Sequence, residues 1–462
     1  MKVLIILCTV FLCISTKAQE CNCNKELGYI QQFMEQNYVG FKDKINPQTR
    51  LSYLKMKAGL QKLSKAPGAA TQCLLMISKY LDWFRDNHIQ IRASFDATKT
   101  DTALALKTTL TSVTSQKLNS LRSSKGIEGI YNFQFDSAYQ IAVIHEPGKL
   151  YDYKGVILHS KLSHWKPGMI KFLAYKINDS LYKGVLFMRN HMPKVDYFFM
   201  GKNTIGGDWL REGSVKDTTT YNYEPVASRL LNNQTLYMKI SSFAPSNAKN
   251  IDSMVKHRDK ELRSLPYLVL DLRNNGGGSD FTYSPLLPYL YTSPVKNIGV
   301  DVYSTDATIA GWKLILKDND IPESSKEEIR TMIAKMEAGK GTFVNIVDDT
   351  IDSSFQSLTN PARIVILVDK NCASTTEQFL LFARQSSKVI IAGEKTQGTL
   401  DYSNMREASF SCMPYKLEFA TTRSRRLDIG QGIDNMGIKP NYHLQPGIDW
   451  IKEALKLLKK KK

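Results

Sequence analysis

The sequence predicts an α/β protein: a largely parallel sheet core in the C-terminal half, preceded by a helical region and a small antiparallel β region. Three observations carry this. Apolar residues recur at helical spacing over residues 25–87. Between about 126 and 225 the pattern changes to short β-type runs separated by turn residues. From about 234 onward, short apolar runs alternate with amphipathic helical stretches, the rhythm of parallel βαβ units.

The N-terminal segment comes first. Residues 1–18, MKVLIILCTVFLCISTKA, have the form of a secretory leader: Lys2, an apolar run over 3–14, and small Ala18 before Gln19. Cys13 follows Leu12 and Cys21 follows Glu20, so neither has the small neighbour of a lipoprotein signal. The expected location is secreted or periplasmic, in a bacterium. No later stretch is long and apolar enough to span a bilayer. Of seven cysteines, Cys21, Cys23, Cys73, Cys372 and Cys412 lie beyond the leader. In an oxidising compartment an odd number leaves a free thiol, and pairing of Cys21 or Cys23 with Cys73 would staple the N-terminal region. Cys21-x-Cys23 is too short a pattern for a zinc site.

Residues 19–95 read as a helical cap, with Leu27, Ile30, Phe33 and Met34, then Leu51, Leu54, Leu60, and then Leu74, Ile77, Leu81 and Phe84 on apolar stripes. Residues 98–124 are rich in Ser and Thr and read as a linker or a poorly packed helix. The β region, 126–225, contains GIEGIYNF, YQIAVIHE, YKGVILHS, MIKFLAYKI, LYKGVLFMRN and VDYFFMG. Its His145, His159, His164 and His191 are not spaced as metal ligands. In the core, 234–462, strands are expected at 236–243, 267–272, 363–369 and 388–393, and helices at 247–265, 283–291 and 375–384. A polar insertion, 303–358, carries a charged helix near 327–337. Trp450, Ile451, Ala454, Leu455 and Leu458 form a closing apolar stripe that docks on the core. The net charge is +18, but Lys and Arg are scattered apart from the final four lysines. No aromatic–basic RNA signature accompanies them, so a solvated basic surface is expected rather than nucleic-acid binding.

Two stretches carry chemistry. YLVLDLRNNGGGSD, 267–280, is a strand running into three glycines, which bring bare backbone N–H groups to one point. VDKNCASTTEQFLLFAR, 368–384, is a strand, a short turn and a helix, with Ser374 at the helix start. Ser374-x-x-Glu377 has the spacing of a capping box. The other reading of Ser374, which this stretch alone favours less than the cap, is a nucleophile whose oxyanion meets the N–H of Thr375 and the glycine loop.

Taken together, these stretches resemble the S41 peptidase family, the tail-specific or C-terminal processing and tricorn-core serine peptidases. The DLRxNxGG motif is matched by Asp271, Leu272, Arg273, Asn275, Gly277 and Gly278. The Ser-x-x-Glu turn is matched by Ser374 and Glu377, GExTxG by Gly393, Glu394, Thr396 and Gly398, and GIxP by Gly437, Ile438 and Pro440. The resemblance implies a crotonase-like (ClpP-like) ββα spiral core. It implies Ser374 as nucleophile and an oxyanion hole from the N–H groups of Gly277 and Thr375. It implies no metal or cofactor.

The base departs from the pattern. The tail-specific branch has a lysine just after GxxTxG, where this chain has Thr399. Lys395 nearby occupies a variable position of the motif. The tricorn-like branch takes its histidine from a YxHI strand and an acid from before the closing GxxP. Those positions hold Lys239 and Asp434. Asp434 is either an orienting acid or a turn residue. His88, in DNHIQI, resembles a D-x-H segment found where the family's cap meets its core, and is preferred to Lys239 as base. Cys372 is read as structural. No PDZ-type module is evident. The expected function is hydrolysis of peptide bonds in a peptide or protein substrate through an acyl-enzyme on Ser374. The alternative is an inactive peptide- or ligand-binding protein on the same fold.

Overall fold

The computed structural model describes residues 21–95, 110–215, 224–318, 321 and 323–460. The leader, 1–18, and much of the 98–124 segment lie outside these residues; within the latter, Ser115–Ser123 is a helix.

Three helices, Cys23–Asn37, Arg50–Ser64 and Ala69–Asp82, pack against one another near the N-terminus. Their stripes meet at Leu27, Ile30, Met34, Tyr53, Leu74, Ile77 and Tyr80, all buried. A disulfide joins Cys23 to Cys73 across two of them. Cys21 pairs not with Cys73 but with Cys412, tying the chain's start to its C-terminal part. The Glu26 carboxylate reinforces that tie by accepting the backbone N–H groups of Ser411, Cys412 and Met413 at 2.7–2.9 Å. Cys372 is the free, buried thiol.

The β region is an eight-stranded antiparallel sheet. Its six longer strands, from Gly129–Phe133 to Pro193–Phe199, coincide with the six apolar runs, and two short strands close its edge. His191 stacks on Trp165 there, consistent with a packing histidine.

The core is a six-stranded sheet in the order Val226–Asn232, Thr235–Ile240, Tyr267–Asp271, Arg363–Val368, Val389–Gly393, Tyr442–His443. The first pair is antiparallel and the remaining neighbours are parallel. Side chains alternate across it. Leu236, Met238, Ile240, Leu270 and Ile366 pack with Phe379 and Leu380 on one face. Tyr237, Val269, Val365 and Leu367 pack with Trp450, Leu457 and Leu458 of the C-terminal helix on the other. The expected long helix over 247–265 is two, Ala248–His257 and Asp259–Ser264. The one over 283–291 is a series of short helical turns.

A second antiparallel sheet was not anticipated. Tyr415–Ser424 pairs with Gln90–Ala93, with Tyr402–Ser409 and with Val300–Tyr303, and the last pairs with Phe343–Val347. The 303–358 insertion joins this sheet through Phe343–Val347. It adds two helices, Asp306–Ile315 and Glu323–Ala338, around a small core of Ile309, Trp312, Ile333 and Met336.

Candidate active site

The Tyr267–Asp271 and Arg363–Val368 strands run side by side in parallel and end together, so the loops that follow them meet. Asn275 ties those loops. Its Nδ2 donates to Ile240 O at 3.1 Å, and its carbonyl accepts from Ala373 N and Thr376 Oγ1 at 3.2 and 2.9 Å. Gly277 then lies against the turn before the Thr375–Ala383 helix. A Cβ on it would fall 2.9 Å from Ser374 Cβ and 3.0 Å from Thr375 N, and its φ is +103°. Glycine is required there on both counts.

Ser374 sits at that turn with φ +55° and ψ −122°. A non-glycine residue in this region costs about 1–3 kcal/mol and persists only where its surroundings over-determine it. Glu377 supplies much of that constraint. Its buried carboxylate accepts from Ser374 N at 3.2 Å, Gly398 N and Thr399 N at 2.8 Å, and Thr396 Oγ1 at 2.5 Å. The Ser-x-x-Glu spacing and the GEKTQG loop are thus parts of one device.

His88 reaches this serine from the N-terminal helices. After Ala69–Asp82 the chain turns at Arg85, with φ +49°, and Asp86 Oδ1 accepts the His88 N–H at 2.9 Å. His88 Nε2 lies 3.1 Å from Ser374 Oγ, and Nδ1 lies 2.6 Å from Tyr402 O. A carbonyl only accepts, so Nδ1 carries the proton and Nε2 is the acceptor facing the serine hydroxyl. Asp86 Oδ1 is 3.8 Å from Nδ1, and its Oδ2 accepts from Tyr38 O–H at 2.7 Å. Burial, reinforced by that carboxylate, raises the Tyr38 phenol and keeps it a donor.

The other expected site residues fall as follows. Lys239 shares the Tyr237 side of the sheet by strand alternation, opposite the face that packs Phe379 of the Ser374 helix. It lines a depression with Asp271, Arg273, Asp369 and Glu394, away from the serine. Asp434 bonds to loop backbone. Its Oδ1 accepts Leu400 N and Asp401 N at 2.8 and 2.7 Å, and Asp401 Oδ2 in turn accepts Asp434 N at 2.8 Å. Burial, with the Asp86 charge nearby, pushes the Asp434 carboxyl up to about 7.

Thr375 N–H opens the helix and has no intrahelical acceptor. Gly277, expected to offer its N–H to the oxyanion, donates it to Asn275 Oδ1 at 3.0 Å. Gly278 is better placed. It bridges Phe243 in parallel fashion through Gly277 O and Ser279 N, which turns its own N–H and carbonyl to the other side. The carbonyl there accepts from Thr375 Oγ1 at 3.0 Å. Cys372 Sγ donates to Leu272 O at 3.0 Å, and burial pushes the thiol up, away from the reactive thiolate.

The model of peptidase family S41 matches residues 234–444. The chain carries an S41 peptidase domain. No curated protein matches it in sequence. Among solved structures it is similar to mature CPAF, with 10% identity, 92% of each chain covered and a TM-score of 0.50. It is likewise similar to mature CPAF complexed with lactacystin, with 10% identity, 95% of this chain and 96% of that one covered, and a TM-score of 0.51. At that identity the likeness speaks for the fold.

The S41 domain does not supply His88, which lies well before residue 234. A cleft of about 820 Å³ opens over His88, Ser374, Thr375 and Gly278. The 303–358 insertion walls it with Trp312, Ile329 and Met332, and the antiparallel sheet adds Met405 and Arg406. Sequence reasoning missed Asp86, Tyr402 and this wall. Asp86 was findable, since an Asp two residues before a histidine invites a side chain-to-backbone turn. The only grouping of metal-type donors among the described residues is Cys21, Glu26 and Cys412. It is taken up by the disulfide and the three N–H groups.

Proposed function

We propose that this S41 protein is an exported serine peptidase that hydrolyses peptide bonds through an acyl-enzyme on Ser374. The observation that carries this is the 3.1 Å approach of His88 Nε2 to the hydroxyl of a serine held at positive φ. Ser374 attacks the scissile carbonyl while His88 Nε2 takes its proton, and the imidazolium later protonates the leaving amine. Tyr402 O fixes the ring, and Asp86 favours the charged ring that forms. The tetrahedral oxyanion is held by Thr375 N–H and Gly278 N–H, at a helix start where negative charge is favoured. Water then hydrolyses the ester by the same route in reverse. Lys239 has no part in this scheme, and Asp434 acts at most by holding the 400–401 loop beside Tyr402.

The reading of the core as a crotonase-like ββα spiral belongs to this proposal. Its support is the two passes of strand, loop and helix onto one sheet, each ending at the site. Export is supported by the two disulfides, which persist in oxidising compartments. No helix among the described residues is long and apolar enough to cross a membrane. The binding-protein alternative rests on the fold not guaranteeing the chemistry and on the missing lysine at Thr399; a histidine within reach of Ser374 favours the peptidase reading over it. The test is labelling with a fluorophosphonate, which reports an activated serine. Wild type should label and Ser374→Ala should not. Labelling that is absent from wild type, or persists in the variant, sinks the proposal.

A further inference from the structure

The cleft over Ser374 contains a cation that the mechanism does not use. Arg406 lies on the Tyr402–Ser409 strand and faces the insertion. Its guanidinium carbon is 4.5 Å from the Trp312 ring centroid, a cation–π contact. Gly311, on the same helix as Trp312, makes room for it: a Cβ there would fall 3.0 Å from Arg406 Cγ. Nη1 donates to Met405 O at 2.6 Å. Nε is sealed from solvent and has no hydrogen-bond partner. Burial pushes Arg406 down to about 10, and no neighbouring acid acts against that shift. The cleft's other arginine, Arg426, differs in this respect, because it is ion-paired with Asp401 at 3.2 Å. A guanidinium does not give up its proton in a protein. Arg406 is therefore a half-buried, partly desolvated positive charge with no ion-pair partner among the described residues, in the wall of the cleft that holds Ser374. Withdrawing part of a charge from water without a partner is costly, and the cost falls when a ligand supplies the anion.

Resting on the peptidase reading of this cleft, we infer that Arg406 is the receptor for a substrate carboxylate. The planar fork suits a carboxylate bidentately. In a peptide, that carboxylate is either the free C-terminus or an Asp or Glu side chain. Arg406 thus selects which peptide enters and where it stops, and takes no part in the bond-breaking step.

The test uses four matched quenched fluorescent peptides: one with a free C-terminus, the same peptide amidated, and an Asp/Asn pair with both termini blocked. Each enzyme is scored by the acid-to-neutral ratio of kcat/KM, which cancels a general loss of activity. Wild type should favour the acid member of one pair by about 10- to 100-fold, the worth of one or two charge-assisted hydrogen bonds. Arg406→Gln should bring the ratio near one, and Arg406→Lys should keep part of it. The pair that responds identifies the source of the carboxylate. A ratio near one for both pairs in wild type overturns the inference, as does a ratio that Arg406→Gln leaves intact. Calorimetric binding of the same peptides to Ser374→Ala separates the two proposals. If wild type neither labels nor hydrolyses, yet Ser374→Ala binds the acid peptide more tightly and the added Arg406→Gln change abolishes that preference, the peptidase reading falls and the carboxylate receptor stands.

Discussion

Replacing His88 by Ala removes the group nearest the Ser374 hydroxyl and leaves the backbone turn at Asp86 in place, because the His88 N–H to Asp86 bond does not involve the ring. A positioned general base contributes roughly 10²- to 10⁴-fold, or about 3–5 kcal/mol of barrier at 1.36 kcal/mol per decade. The upper part of that range applies here. The ring is fixed at Nδ1 by Tyr402 O at 2.6 Å, so Nε2 is pre-aimed at Oγ with a single tautomer. The assay is the second-order rate of fluorophosphonate labelling together with kcat/KM on a quenched peptide. Both should fall by about 10³- to 10⁴-fold. Lys239→Met is the matched control, because Lys239 belongs to the other face of the sheet. The reasoning is refuted if His88→Ala stays close to wild type in both rates, or if Lys239→Met loses as much as His88→Ala.

Further predictions follow from the same contacts. Asp434 has a folded pKa of about 7 against an ordinary 3.8, so the folded state holds a proton that the unfolded chain has already lost. That contribution to stability is complete below pH 3.8 and declines as pH rises to about 7, by at most about 1.4 kcal/mol per pH unit. Asp434→Asn keeps Oδ1 for the Leu400 and Asp401 N–H groups and should flatten this slope in urea titrations at pH 5 and 7.5. Glu377→Gln turns an amide donor toward some of the four donors that now face a carboxylate. It should cost about 2–5 kcal/mol by chemical denaturation and slow labelling of Ser374 as the turn relaxes. Removing the Cys23–Cys73 disulfide by double Ser substitution frees two residues 50 apart in sequence and should lower stability by about 2–4 kcal/mol.

The parallel core was legible because its strands are short apolar runs closed by glycine or aspartate, and the periodicity changes where helices begin. The second antiparallel sheet was not. Tyr402–Ser409 has the sequence YSNMREAS and alternates between half-buried and exposed positions, with Asn404 at φ +54°. Little in that composition distinguishes it from a loop. Ser374 was legible as a helix-start serine, but the choice between cap and nucleophile depended on a histidine 286 residues away. The placement of Lys239 was half visible: Met238 and Ile240 flank it, so it shares the side of Tyr237. Both faces of this sheet are covered, however, and local sequence does not say which face the Ser374 helix takes. The partner of the Gly277 N–H was hidden for a similar reason. Asn275 looks like a turn former in sequence, yet its side chain captures the Gly277 N–H while its carbonyl anchors the serine turn.

The position that lacks a lysine is where the turn carrying His88 docks. Thr399 N–H is committed to Glu377, and its hydroxyl accepts from Asn87 Nδ2 at 3.2 Å. The residue beside His88 therefore docks on the position where the resemblance expects a lysine. A long side chain at 399 would compete for the space through which the 85–89 turn approaches. With Thr there, the turn closes in, and Asn435 Nδ2 adds a second hold by donating to Arg85 O at 3.0 Å. In the proposed scheme the nucleophile Ser374 and its oxyanion donors belong to the C-terminal region, whereas the proton acceptor His88 comes from the helices at the other end of the chain. Catalysis in this scheme depends on that docking. The Cys21–Cys412 disulfide and the Glu26 carboxylate fasten the same two regions at residues 411–413, in the turn just before Tyr415–Ser424, the strand that pairs with Gln90–Ala93 just after His88. Their contribution is then to the position of the base as much as to stability. The double Ser variant of Cys21 and Cys412 should lower the labelling rate of Ser374 at temperatures well below its own unfolding transition. A rate equal to that of wild type under those conditions would mean that the strand pairing alone is enough to hold His88 in place.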